Sequence, residues 1–113
     1  GALPAILPFS DNDLCVILSN ALENALHACL PFVKAGENCT IEVQFRFSEP
    51  RGKLFLQIVN PCRGEVRFER GVPVSDQPDH GIGVQSIRAV VERYGGGCTF
   101  LLENGQFILR LFL

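Results

Sequence analysis

Residues 84–113 read VQSIRAVVERYGGGCTFLLENGQFILRLFL, and this stretch decides the fold class. Val84, Ile87, Val90, Val91 and Tyr94 recur at three- and four-residue spacing, the period of a helix with one buried stripe. Gly95 then supplies a residue able to take the left-handed conformation that ends a helix, so the expected helix runs from about Val84 to Tyr94. Thr99 to Glu103 and Gln106 to Leu113 are strand-length apolar runs. They flank Asn104 and Gly105, the dipeptide most strongly associated with a two-residue hairpin turn.

Working upstream, Ser10 or Asp11 can cap a first helix whose apolar positions Leu14, Ile17, Leu18, Ala21, Ala25, Ala28 and Cys29 recur at helical spacing as far as Pro31. From Thr40 to Phe47 the chain alternates, with Ile41, Val43, Phe45 and Phe47 on one face and Glu42, Gln44 and Arg46 on the other, the signature of a half-buried strand. Pro50, Arg51 and Gly52 provide turn chemistry, and Leu54 to Val59 forms the partner strand, stopped by Asn60 and Pro61. Residues 60–80 are too long for a passive connection in so small a domain and are expected to form a functional lid. The sum is an α+β fold, a two-layer sandwich of a mixed, largely antiparallel sheet with helices on one face.

A length of 113 residues fits one domain, residues 1–113, with one core. Pro4 and Pro8 make residues 1–9 an extended lead-in, and the chain reads as an excerpt of a longer protein. Hydrophobic residues at 47% and charged residues at 19% exclude a disordered tail, while a formal charge of -2 offers no general field for nucleic acid or anionic lipid. No apolar run approaches the ~20 residues that cross a bilayer, so no membrane contact is expected of this segment. Cysteines 15, 29, 39, 62 and 98 are odd in number and form no C-x-x-C pair; they read as small core residues in a reducing cytosol.

Asn20, Asn24 and His27 lie four and three residues apart, and at about 100° per residue they occupy an arc of roughly 60° beside the apolar stripe of the first helix. Asparagine is a poor interior helix residue. A carboxamide oxygen facing a cleft can ligate magnesium, which keeps several waters and takes one or two protein oxygens plus phosphate oxygens; a solvated helix face is the plainer alternative. Gly81, Ile82 and Gly83 immediately precede the second expected helix, where free N–H groups and close approach suit an anion, with His80 beside them as a loop or packing residue. Ser86 stands where a dinucleotide fingerprint would have its third glycine, and no P-loop motif is present. Asn60, at a strand end, either begins a turn or presents an oxygen to an exocyclic amine such as that of adenine.

In combination these pieces are more specific. DLCVILSNALENALHAC, then LQIVNP, then DHGIGVQSIRAVVERYGG and CTFLLENGQFILRLFL resemble the GHKL ATP-binding domain of sensor histidine kinases, and more narrowly the branch typified by bacterial peptide quorum sensors. The resemblance runs from about Leu14 to Leu113. It implies that Asn24 is the magnesium-binding asparagine and that Asn20 and His27 flank the transfer step. It further implies that Asn60 reads adenine, that Gly81 and Gly83 with His80, Ile82 and Val84 approach the phosphates, and that residues 61–80 form the lid. Gly64 keeps the second glycine of the adenine motif, whereas Asn60 replaces its aspartate and Cys62 its first glycine. A neutral acceptor at residue 60 forgoes charge assistance, so weak nucleotide affinity is expected.

The implied partners are ATP, Mg²⁺, a histidine on a separate dimerisation domain and, indirectly, a response regulator. The implied place is the cytoplasmic side of a membrane-anchored parent. Relatives that hydrolyse ATP carry a glutamate where this chain has Asn20. A histidine-directed kinase has less need of such a base, because neutral imidazole is already nucleophilic near pH 7. Two further readings stay open: a noncatalytic nucleotide-responsive module, and an anti-sigma serine kinase, which the lack of a base at Asn20 disfavours. A lid cation from Arg63, Arg67 or Arg70 could reach the phosphates.

Overall fold

Ser10 opens the first helix: its Oγ accepts a hydrogen bond from the Asp13 N–H at 3.0 Å. The structure is a computed structural model and describes residues 9–48, 52–63, 67–69, 71–74 and 80–113. Helix α1 spans Asp11–Lys34 and buries Ile17, Ala21, Ala25 and Cys29, the stripe that the periodicity predicts. It runs past Pro31, where the sequence places its end. That proline sits in the last turn, and its carbonyl still accepts from Ala35 N–H at 3.1 Å, so the chain turns out only after Lys34.

Strands β1 (Glu42–Ser48), β2 (Lys53–Pro61), β5 (Gly97–Glu103) and β6 (Gln106–Phe112) form one sheet in the order β1-β2-β6-β5, every neighbouring pair antiparallel. The β5–β6 connection carries positive φ at both Asn104 (51°) and Gly105 (75°), the two-residue turn expected of that dipeptide. β2 continues through Asn60 and Pro61, which pair with Phe107 and Gln106, rather than stopping before them. β1 lies at the sheet edge, so the inner face expected of it is only partly covered: Phe45 and Phe47 are half-buried and Val43 is exposed.

The segment expected to be a lid contains a feature that sequence reading missed. β3 (Arg67–Glu69) and β4 (Val72–Val74) pair antiparallel as a separate two-stranded ribbon, with Gly71 at φ 75° between them. Two three-residue strands, the second with a proline at its centre, are too short to stand out from a loop. Helix α2 spans His80–Arg93, and both helices pack on one face of the four-stranded sheet.

Alternate residues of β2, Leu54, Leu56 and Ile58, meet Phe107, Leu109 and Leu111 of β6, Ile17 and Ala21 of α1, and Ile87 and Val91 of α2 in a single core. On the opposite face Arg110 donates to Gln57 at 2.7 Å and Gln57 to Gln44 at 3.4 Å, a polar ladder across three strands. Cys29 and Cys39 are joined in a disulfide, their Cα atoms 5.7 Å apart, which corrects the expectation of separate thiols. One lies on a helix and the other in the return loop, a closure that no linear spacing motif reveals.

α1 also corrects the reading of apolar runs. With 24 residues and a mean hydropathy of 1.3 in its most apolar window, it is long and apolar enough to cross a membrane by length and composition alone. Its inner stripe is nonetheless core, and the extra hydropathy comes from Leu22, Leu26, Leu30 and Val33 on the outer face.

Candidate functional site

Two contacts fix the relation of the helices. Near the start of α1, Asp13 accepts from the Tyr94 hydroxyl at 2.6 Å and from Arg93 Nη2 at 2.8 Å, just at and beyond the end of α2. Further along α1, Asn20 faces Gly83 so closely that a Cβ added there would stand 3.0 Å from Asn20 Oδ1. The helices are therefore antiparallel, and Asn24, one turn and ~6 Å beyond Asn20, reaches the level at which α2 begins. The N–H groups of that first turn have no acceptors within the helix.

α2 starts at His80, four residues earlier than Val84, the expected start. His80, Gly81, Ile82 and Gly83 thus form its first turn instead of preceding it. Two glycines at about 1 kcal/mol each argue locally against helix, and the second of them, Gly83, is the one that lies against Asn20. Val84 is buried in the core, so it anchors the turn instead of lining a cleft through its side chain. Asn20 and Asn24 are half-buried and His27 is exposed, in keeping with their order of approach to the apolar stripe. Asn20 Nδ2 donates to the Val16 carbonyl at 2.8 Å, which pins the carboxamide against its own helix.

β2 runs in the same direction as α1. Leu14, Ile17 and Leu18 share a small apolar cavity of about 90 Å³ with Leu54 and Leu56 at one end, while Arg63, just past β2, meets Phe32 and Glu37 at the other. Asn60 therefore lies at the end of the sandwich to which Asn24 and the first turn of α2 also belong. It is 1% exposed, the one polar residue in the buried set among the described residues, and it continues the helix-facing row of Leu54, Leu56 and Ile58. Its Nδ2 donates to the Pro61 carbonyl at 3.1 Å. Next to it Cys62 N–H donates to the Gly105 carbonyl at 2.8 Å, tying the root of the lid segment to the β5–β6 turn, and burial pushes the Cys62 thiol up.

Of the three candidate lid cations, Arg63 is committed elsewhere. Its guanidinium pairs with Glu37 and lies 4.4 Å from the centroid of the Phe32 ring, so it clamps the lid root to the end of α1. Arg70 and the side chain of Arg67 lie outside the described residues, as do Gly64 and the side chains of His80 and Ile82. Sequence reading missed Asp13, Tyr94 and Glu37 because each acts across 26 or more residues of chain. Only the capping position of Asp13, three residues after Ser10, carried a local hint.

A model of the GHKL domain family matches residues 10–113. Sensor histidine kinase CitA of Klebsiella pneumoniae is 30% identical, the match covering 90% of this chain and 18% of that protein, so the chain spans under a fifth of this curated relative. Among solved structures, mycobacterial sensor histidine kinase MprB aligns at a TM-score of 0.67 with 19% identity, covering 95% of this chain and 75% of the other. The catalytic domain of histidine kinase ThkA aligns at 0.63 with 17% identity, covering 92% of this chain and 67% of the other. The structural likeness shows a shared fold, the antiparallel sheet with helices on one face, and the match across residues 10–113 goes further: the chain belongs to the GHKL domain family.

Proposed function

We propose that this chain is the ATP-binding catalytic domain of a two-component sensor histidine kinase, which transfers the γ-phosphoryl group of Mg-ATP to a histidine on a separate dimerisation domain. One observation carries the reading: Asn60, 1% exposed, ends an otherwise apolar row at the same end of the sandwich as Asn24 and the first turn of α2. Burying a carboxamide is costly unless it is well partnered, and apolar neighbours with one polar reader make a site for a planar heterocycle. In this reading Asn60 accepts from the adenine amine, and the first-turn N–H groups at His80, Gly81, Ile82 and Gly83 hold phosphate oxygens with help from the positive helix end.

Magnesium suits the donor set. Asn24 is a half-buried carboxamide at the level of those amides, a hard oxygen donor of the type this ion takes singly while keeping water and phosphate ligands. When bound, the ion neutralises charge on the transferring group. His27, exposed on the same helix face, takes the role of a polar group near the phosphates. The acceptor imidazole forms a nitrogen–phosphorus bond as the bond to the bridging oxygen breaks and ADP leaves. Catalysis then rests on positioning and charge, and no carboxylate is needed where Asn20 stands. In this reading residues 61–80, part of which lie outside the described residues, serve as the lid over the nucleotide. The parent is anchored in a membrane with this domain in the cytoplasm, and a response regulator receives the phosphoryl group in turn.

The test is to mix the domain with Mg-ATP and the dimerisation domain of its parent. Acid-labile phosphohistidine supports the kinase. ATP binding without phosphohistidine at saturating nucleotide supports a noncatalytic module instead, and no adenine nucleotide binding at millimolar concentration removes both.

A further inference from the structure

We infer that Asn20 is a positioning residue: its carboxamide spaces α1 from the first turn of α2, and Gly83 lacks a side chain to receive it. The contact is direct. A Cβ at Gly83 would lie 3.0 Å from Asn20 Oδ1, so the carboxamide would have to give by a few tenths of an ångström, and in ordinary contact at 3.5 Å with its Cβ and Cγ. Asn20 cannot simply swing away, because Nδ2 is held on the Val16 carbonyl at 2.8 Å and the residue is half-buried. Gly83 itself sits in a helix at negative φ, so no backbone conformation demands glycine there. Glycine is a poor helix former relative to alanine, and the Asn20 carboxamide is the neighbour that an alanine at residue 83 would meet.

The consequence depends on the nucleotide reading above. If Asn24 and the α2 amides address one polyphosphate, the distance between the two helices is the setting that must be held, and Asn20 is the group between them. This differs from a glycine kept so that the phosphates themselves can approach its backbone. The two cases separate in a double-mutant cycle, because only contacting residues couple.

The experiment measures Kd for Mg-ATP and for adenosine by calorimetry, and Tm without ligand, in the wild type, Gly83→Ala, Asn20→Ala and the double variant. Gly83→Ala is expected to raise the ATP Kd about tenfold, leave adenosine binding within about twofold, and lower Tm. In the Asn20→Ala background the same change is expected to leave the ATP Kd within about threefold and to raise Tm by a few degrees, as a helix freed of one glycine should. An equal Kd ratio and an equal Tm change in both backgrounds would overturn the inference. A wild type that binds no ATP would overturn the nucleotide reading and the spacing role built on it, while the ligand-free Tm cycle would still decide whether Asn20 and Gly83 are coupled.

Discussion

At the scale of single residues, Asn60 is the most informative position. Leucine is close to asparagine in size and would extend the row of Leu54, Leu56 and Ile58 into the helix-facing core. Asn60→Leu is therefore expected to keep or raise the ligand-free Tm, because a buried polar group gives way to an apolar one. It should also weaken ATP binding roughly tenfold or more through loss of about 1–2 kcal/mol of hydrogen bonding. A thermal shift assay with and without ATP reads both effects, and parallel losses of stability and binding would mark Asn60 as structural. The sequence pointed to this residue but left it between a turn former and a base reader. Its burial, which only the packing supplies, favours the second.

At the scale of elements, the helix ends are held by Asp13. The Tyr94 hydroxyl first, then Ser10 and Arg93, hold its carboxyl below the usual aspartate range despite partial burial. A depressed folded-state pKa contributes stability above the unfolded value of about 3.9, and that contribution is lost as the pH falls through the lower folded value. The Tm deficit of Asp13→Asn should thus be largest near pH 6–7 and shrink below about pH 4. A deficit unchanged down to pH 2.5 would exclude ionisation as its cause.

The approach to β5 offers a second prediction at this scale. A Cβ on Gly96 would overlap the backbone carbonyl of Phe112, whereas one on Gly97 would meet only the half-exposed Phe112 ring, which can turn away. Gly96→Ala is expected to cost about 3 kcal/mol or more and Gly97→Ala roughly 1 kcal/mol, readable as a Tm loss several times larger for the first.

At the scale of the whole molecule, the Cys29–Cys39 disulfide closes a loop with a sequence separation of 10 between the end of α1 and the approach to β1. Loop-closure entropy assigns about 2.5 kcal/mol to a bridge of this span. Within that loop Glu37 pairs with Arg63 at the lid root, and the Arg63 partnership holds the Glu37 carboxyl below its ordinary value. Cys39→Ser, or reduction under native conditions, is expected to lower Tm by several degrees; no shift between oxidised and reduced protein would show that the bridge contributes nothing. Reactivity should differ among the free thiols too. Burial holds the Cys98 thiol up at about 11, while Cys15 is exposed, so alkylation near pH 8 should modify Cys15 first.

The sequence by itself determined the parts whose signal is local. The alternation of Phe45 and Phe47, the stripe of Ile17, Ala21 and Ala25 and the turn at Asn104–Gly105 all lie within a few residues of the neighbours that give them meaning. Periodicity and turn chemistry are properties of a short window, so the α+β class was legible there, whereas the candidate site at Asn24, Asn60, Gly81 and Gly83 could be named only from the family resemblance of motifs spread along the chain. Only the tertiary structure decided where α2 begins, that Pro31 stays within its helix, that Arg63 is committed to Glu37 and Phe32, and that Cys29 meets Cys39. Each of these is settled by a group outside that window, where packing and pairing outweigh intrinsic propensities worth less than a kcal/mol or two.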